Sequence, residues 1–345
     1  MSINVGIVGL GFPGQQHTKS LASLPGAKIA AFADLDAGRV GKFAAEHHAR
    51  AYSDWRQMLE GEPALDAVIL ATPAKVRLEP IAAICDRGVA LFCEKPPAVD
   101  MKTAWEAAAL IRRAGIINSV GFQFRWSPLA GRMREMISAR PRLFARIVVA
   151  WPVFSWVRQG GAPIYLYEKA KCGGPLIEQA IHYQDVLRYI TADEPIEVMA
   201  MGELGRTEPR GGQQGRDCEE TTALIARHAS GMLTSHIHNW SHNGTLIQLQ
   251  VVGEDFDLTW LMPAKEGGTL VGTIDGKAVN ETDATDFYAE EIRGFIEAVA
   301  RKDQTILRSD YTDACKSMAV CHAGAEAVFT QTRTHVTVAP AVGTP

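Results

Sequence analysis

The stretch Val5-Gly-Ile-Val-Gly-Leu-Gly-Phe-Pro-Gly14 constrains this chain more than any other. A short apolar run over 4–8 breaks into Gly9-x-Gly11-x-x-Gly14 and then into a helical pattern over 14–24. Glycines so placed permit a tight turn and close backbone approach to a ligand, and the helix N-terminus that follows favours a pyrophosphate. A second apolar run over 28–33 ends at Asp34, 20 residues beyond Gly14. That is the offset at which a carboxylate meets ribose hydroxyls. A plain glycine turn followed by a plain strand-end Asp is the alternative, and the strand–turn–helix context argues against it. Gly9, Gly11, Phe12, Pro13, Gly14 and Asp34 are therefore expected to bind a dinucleotide. The charge of Asp34 favours NAD, because it would repel the 2′-phosphate of NADP. Arg39, five residues on, is the feature that softens this preference.

The pattern around this motif sets the fold class. Strands over 4–8, 28–33, 67–71, 90–93 and 118–122 alternate with helical stretches such as 14–24, 37–47 and 102–114. Alternation of this kind with apolar, doubly buried strands predicts a parallel, doubly wound α/β sheet of Rossmann type over residues 1–122. Beyond it, strands follow one another over 144–156, 196–202, 222–228, 232–240, 246–252 and 257–261, and helices are confined to 175–191, 287–301 and 311–331. Residues 123–345 thus read as an α+β domain with a large, mostly antiparallel sheet and helices on one face. The other face needs cover, which predicts a homo-oligomer, dimer or tetramer, built through that sheet. The glycine-rich segment 205–217 reads as one exposed loop.

Several partner classes are excluded on composition. The net charge is −4 with no long run of one sign, which argues against nucleic acid. No apolar run approaches the roughly 18 residues of a membrane span, and the glycine-broken N-terminus lacks a basic leader. The six cysteines contain no Cys-x-x-Cys pair, so reduced thiols in a cytoplasmic protein are expected. His236 and His238 share a strand face, but no Asp, Glu or Cys stands beside them at ligand spacing, and no metal site is expected.

The candidate chemistry lies at strand ends and on one helix. The apolar run 89–93 breaks into Glu94-Lys95-Pro96-Pro97. At the C-terminal edge of an open α/β sheet, where ligands bind, this presents a lysine; elsewhere it is only a solubilising turn. A cis bond before Pro96 would suit so sharp a turn. Thr72-Pro73 ends the preceding strand, so Thr72, Pro73, Glu94 and Lys95 are expected along the dinucleotide, with Gln123 after the fifth strand. Arg125, two residues on, faces either the substrate or an ion pair. In the 175–191 helix, Glu178, His182, Asp185 and Tyr189 fall on one stripe. A solvated face is the usual fate of such a stripe. An imidazole flanked by carboxylates also suits a general base.

The ordered set Gly9-x-Gly11-x-x-Gly14, Thr72-Pro73, Glu94-Lys95-Pro96, the stretch 121–128 and Gly-Gly…His182-x-x-Asp185 resembles the Gfo/Idh/MocA family over nearly the whole chain. The resemblance implies hydride transfer between NAD(P) and a carbinol of a sugar, sugar derivative or cyclitol. By motif position it makes Lys95 the substrate-hydroxyl lysine and His182 the acid–base residue. Glu178 stands where most members carry Asp, with substrate contact and orientation of His182 both open. Tyr288 resembles a substrate-side tyrosine of some members, with helix packing as the alternative. Ala74 and Arg77 replace the Asn and His often found there. Two other readings share the fold: an NAD-retaining glycosidase acting by oxidation and elimination, and a non-catalytic sugar or NAD sensor.

Overall fold

The computed structural model describes residues 2–204, 217–262, 267–330 and 332–337. Its first sheet has six parallel strands: β1 (Ile3–Val8), β2 (Ala27–Ala33), β3 (Arg50–Tyr52), β4 (Ala67–Leu70), β5 (Ala90–Cys93) and β6 (Asn118–Val120). They lie in the order β3-β2-β1-β4-β5-β6, so the winding reverses between β1 and β4. That reversal opens a crevice outside the carboxyl ends of the strands. Every residue of β4 and β5 is buried, which is why both read as unbroken apolar runs.

The register aligns the strand ends. Val8 pairs with Ala33 on one side and Leu70 on the other, Leu70 with Cys93, and Cys93 with Val120. The next residue of four strands still donates its N–H across the ladder: Gly9 to Ala33, Ala71 to Val8, Glu94 to Leu70 and Gly121 to Cys93. Asp34, Gly9, Ala71, Glu94 and Gly121 therefore form one row along the edge.

The chain falls into two compact units, Met1–Gln123 with Phe287–Cys315, and Phe124–Asp286 with the chain from Lys316. The sequence reading cut the chain at 122/123 and left 287–315 in the second domain. The structure groups that segment with the first unit, because helix Phe287–Arg301 buries Ile292, Phe295 and Ile296 in the same core as Val5, Ile7, Phe32 and Phe92. Its apolar stripe reads as helix from either domain, and only packing assigns it.

The second unit is built on nine strands: β7 (Arg142–Ala150), β8 (Pro195–Glu203), β9 (Thr221–His228), β10 (Leu233–Asn239), β11 (Leu246–Gly253), β12 (Phe256–Leu261), β13 (Gly268–Ile274), β14 (Lys277–Asp283) and β15 (Thr334–His335). Their order is β14-β13-β12-β11-β7-β10-β9-β8-β15. Only β7 and β10 run parallel; the other pairs are antiparallel. Burial alternates along β9 to β11, so one face holds Ile147, Leu224, His236, His238 and Leu249 in the interior.

Three expectations differ from what is seen. The strand expected over 144–156 ends at Ala150, and Val153–Arg158 is helical; Pro152 has no N–H for the ladder and ends the strand. The β13–β14 hairpin was not read from the sequence. The helix expected over 175–191 begins as a π-helical turn, Leu176–Ala180, before α-helix Ile181–Thr191. The loop expected over 205–217 lies, up to residue 216, outside the described residues.

Candidate active site

The glycine loop shows which glycines the protein itself requires. Gly9 has φ +91, and a Cβ there would stand 2.9 Å from the Ala71 carbonyl and the Thr72 nitrogen. A Cβ on Gly14 would stand 2.0 Å from the Gly9 oxygen, so helix and turn meet backbone to backbone. Gly11 differs: its Cβ would meet nothing nearer than Pro13 Cδ at 4.0 Å. Gly11 therefore keeps a groove open at the N-terminus of helix Phe12–Ala22, where unpaired N–H groups attract phosphate. Exposed Phe12 and half-buried Pro13 begin that helix.

Asp34 ends β2 and is tied back to the loop. Its Oδ2 accepts from Leu10 N at 2.6 Å and its Oδ1 from Asp36 N at 2.9 Å. Arg39 Nη1 lies 3.8 Å from Oδ2 and its Nη2 3.1 Å from Asp36. Along the same edge, the buried Thr72 hydroxyl has no hydrogen-bond partner among the described residues. An orphaned polar atom beside an open glycine groove fits a dinucleotide that supplies the missing partner.

One strand further along, Glu94 is buried and meets His17 Nε2 at 2.5 Å. Burial alone would push its carboxyl up, but the hydrogen bond and charge of His17, with Lys95 and Arg77, hold it below the usual carboxylate range. Its Oε2 accepts from Lys95 N at 3.1 Å, and the Lys95–Pro96 bond is cis, as expected. Buried Arg77 braces this turn. Its guanidinium donates to the carbonyls of Thr72 at 2.8 Å and Pro96 at 2.5 Å, and also to Glu94 O. The charged pair that follows the buried strand is thus a fastened turn at the sheet's ligand edge. Gln123 is buried just past β6. Tyr288 packs edge-on against His17, ring centres 5.8 Å apart.

In the second unit the polar stripe is not solvated. His182 is 9% exposed and Asp185 fully buried. Arg125 grips Asp185 with two hydrogen bonds, Nε to Oδ2 at 2.7 Å and Nη2 to Oδ1 at 2.6 Å. Ser317 also donates to Asp185 at 2.7 Å. A bidentate, buried pair of this kind fixes both side chains. Phe124 leans against His182 edge-on, ring centres 5.6 Å apart. Glu178 is half-buried on the π-helical turn.

Residues 3–122 match the Gfo/Idh/MocA oxidoreductase family with an NAD-binding Rossmann fold, and residues 144–259 match the Gfo/Idh/MocA C-terminal domain. The chain belongs to the Gfo/Idh/MocA family. It is 29% identical over 201 residues to the uncharacterised oxidoreductase YrbE of Bacillus subtilis, spanning 58% of this chain and 57% of that protein. Inositol 2-dehydrogenase 2 of Saccharopolyspora erythraea is 26% identical over 351 residues, spanning 99% of this chain and 97% of that one. The solved structure of levoglucosan dehydrogenase in complex with NADH shares the fold, with a TM-score of 0.84 at 20% identity over 98% of this chain and 100% of that one.

Within this Gfo/Idh/MocA chain, the strand register brings Gly9, Asp34 and Glu94 into one row, with Thr72 and Lys95 one residue beyond it. Two residues that shape that edge were not read as site residues. His17 lies three residues beyond Gly14, on the helix that follows the glycine turn, and Arg77 stands out in the sequence only as a departure from the family pattern. Neither carries a sequence signal for its partner, since Glu94 lies 77 and 17 positions away. No helix among the described residues is long and apolar enough to cross a membrane.

Proposed function

We propose that this protein is an NAD-dependent dehydrogenase acting on a carbinol of a sugar, sugar derivative or cyclitol. The observation that carries the substrate class is the match to an inositol 2-dehydrogenase over 99% of this chain. Bound nicotinamide supplies the hydride acceptor. The Nδ1 edge of His182 is buried, so the hydroxyl proton is taken at Nε2. Lys95 Nζ donates a hydrogen bond to the alkoxide that grows as the proton leaves, an interaction stronger in the transition state than in the ground state. Glu178 holds either His182 or a substrate hydroxyl. Arg125, oriented by Asp185, and Tyr288 complete the substrate-side set. Gly11, Asp34, Thr72, Pro73, Glu94 and Gln123 line the dinucleotide, with NAD preferred to NADP.

The test is a panel of myo-inositol, scyllo-inositol, levoglucosan, common aldoses and p-nitrophenyl glycosides incubated with NAD and the purified protein. Net formation of NADH with one member supports the reading. Sugar release without net NADH would replace it with the glycosidase, and tight NAD binding with no turnover across the panel would replace it with the sensor.

The same reading includes a homo-oligomer in the cytoplasm. Met199, Met201, Ile225, Leu233, Ile237 and Phe144 are exposed on paired strands of the large sheet, an apolar face of the kind that partners cover. All six cysteines are free and buried, in keeping with a reducing compartment. Light scattering on the eluting protein measures the oligomer; a monomer at micromolar concentration would remove that part.

A further inference from the structure

Beneath the helix that carries His182, β10 and the residue that follows it, Trp240, hold two imidazoles and an indole in the interior. Trp240 Nε1 lies 2.6 Å and His238 Nε2 2.9 Å from Gln179 Oε1. His238 Nδ1 lies 3.3 Å from His236 Nε2, and His236 Nδ1 lies 3.0 Å from Gln184 Nε2. Both histidines are fully buried.

Donor chemistry sets the direction of this chain. An indole N–H can only donate, so the Gln179 atom it meets is the carbonyl oxygen. His238 Nε2 faces the same oxygen and must therefore carry a proton. A neutral His238 then has a bare Nδ1, which accepts from a protonated His236 Nε2. His236 Nδ1 is bare in turn and accepts from the Gln184 amide N–H. Every bond is satisfied in only one sense, with both rings neutral and both protonated at Nε2. The other end is the Gln184 oxygen, buried with no partner among the described residues. A proton added to either ring would set donor against donor in the chain as it stands, and would be accommodated only by the Gln184 amide turning its oxygen towards His236. Burial also opposes it, holding His236 down to about 3 and His238 well below its ordinary value.

Gln179 sits in the π-helical turn between Glu178 and the α-helix that begins at Ile181. Such turns are rare and cluster at functional sites. Tyr183 packs its ring against both imidazoles, at 6.0 and 5.9 Å, and against Phe124 at 5.4 Å, which in turn supports His182. We propose that His236, His238 and Trp240 are positioning residues: a one-way hydrogen-bond relay from Gln184 through both rings to Gln179 locks the π-helical turn that presents Glu178 and His182. It also keeps positive charge off the buried rings near His182, leaving that residue to take up the proton. The inference rests on His182 being the acid–base residue.

The experiment uses the full-length protein labelled with ¹⁵N-histidine. Long-range ¹H–¹⁵N spectra should show His236 and His238 as neutral Nε2–H tautomers from about pH 8 down to about pH 5. An Nδ1–H tautomer on either ring, or a charged ring at about pH 6, overturns the relay whatever the enzyme does. The variant His238→Phe keeps an aromatic ring and loses both bonds. It should shift the His182 signals and lower kcat on the best panel substrate about 10- to 100-fold, with KM for NAD within about twofold. His238→Gln retains a donor for Gln179 and an acceptor for His236, and should recover most of kcat. Unchanged His182 signals and kcat in His238→Phe would leave the relay without a positioning role. If the wild type turns over nothing, the tautomer and His182 spectra still decide the relay, and the failure belongs to the dehydrogenase reading.

Discussion

The first unit gathers its candidate residues from strand ends, and the second gathers them from one helix and the strand beneath it. In the first, a parallel register carries Gly9, Asp34, Ala71 and Glu94 to one edge through backbone pairing alone. The buried polar groups that brace this edge are charged or charge-assisted: Glu94 with His17, and Arg77 on three carbonyls. In the second, the buried imidazoles of β10 are neutral, and what they do depends on Gln179 and Gln184, more than 50 residues away in sequence. A site made from backbone turns is written in short motifs. A site made by side chains stacked across layers is written nowhere locally.

Turnover carries the largest expected effect in each unit. His182→Ala should lower kcat by ~10²–10⁴-fold while NAD affinity stays within about twofold. Lys95→Met keeps length and loses charge; a fall of at least ~10²-fold, in a folded protein that still binds NAD, is expected. Single-turnover assays with titrated NAD measure both. Normal turnover in folded Lys95→Met would return the lysine to a solubilising turn, and normal turnover in His182→Ala would make the second unit's stripe purely structural.

The glycines sharpen the comparison within the first unit. A methyl on Gly11 meets no protein atom closer than 4.0 Å, so Gly11→Ala should leave thermal stability unchanged and weaken NAD about tenfold or more, the cost of one displaced charge-assisted hydrogen bond. Gly14→Ala drives a Cβ into the Gly9 oxygen and should lower both stability and NAD affinity. Calorimetry beside a fluorescence titration distinguishes them; equal loss of stability in the two variants contradicts the open groove.

Acid should weaken the second unit first. His236 is neutral in the folded chain because burial holds it down to about 3, whereas unfolded histidine takes a proton below about pH 6.5. Its contribution is complete above that pH and is lost as pH falls towards 3, about 2 kcal/mol by pH 5. Glu94 is held below the carboxylate range, so its contribution is lost only below about pH 4.5. Hydrogen exchange corrected for intrinsic rates, at about pH 7 and about pH 5, should show protection falling in β9 and β10 while β4 and β5 keep theirs. Loss that starts in β4 and β5 would contradict the neutral imidazoles.

The smallest effect concerns the cofactor's ribose. Asp34 should make NAD bind about tenfold more tightly than NADP, even with Arg39 Nη1 at 3.8 Å. Titrating both nucleotides against intrinsic fluorescence tests this, and tighter NADP would make Arg39 the deciding residue.

By itself the sequence determined the parallel first sheet, the dinucleotide edge and the Glu94-Lys95-Pro96 turn. Periodicity, glycine spacing and apolar runs are local quantities, and a parallel sheet converts them directly into strand ends. It also placed Glu178, His182 and Asp185 together on one helix. Only the tertiary structure decided the rest. Packing joined helix Phe287–Arg301 to the first unit, a choice its own amphipathic stripe leaves open. Hydrogen-bond partners turned Arg77 and His17 into braces of the Lys95 turn. The π-helical turn departs from the 100° period on which the helix stripe was drawn, and β10 meets it through Gln179. Burial made His236 and His238 neutral members of one chain, because desolvation and the fixed direction of an indole donor are properties of neighbours in space, which residue order alone does not specify.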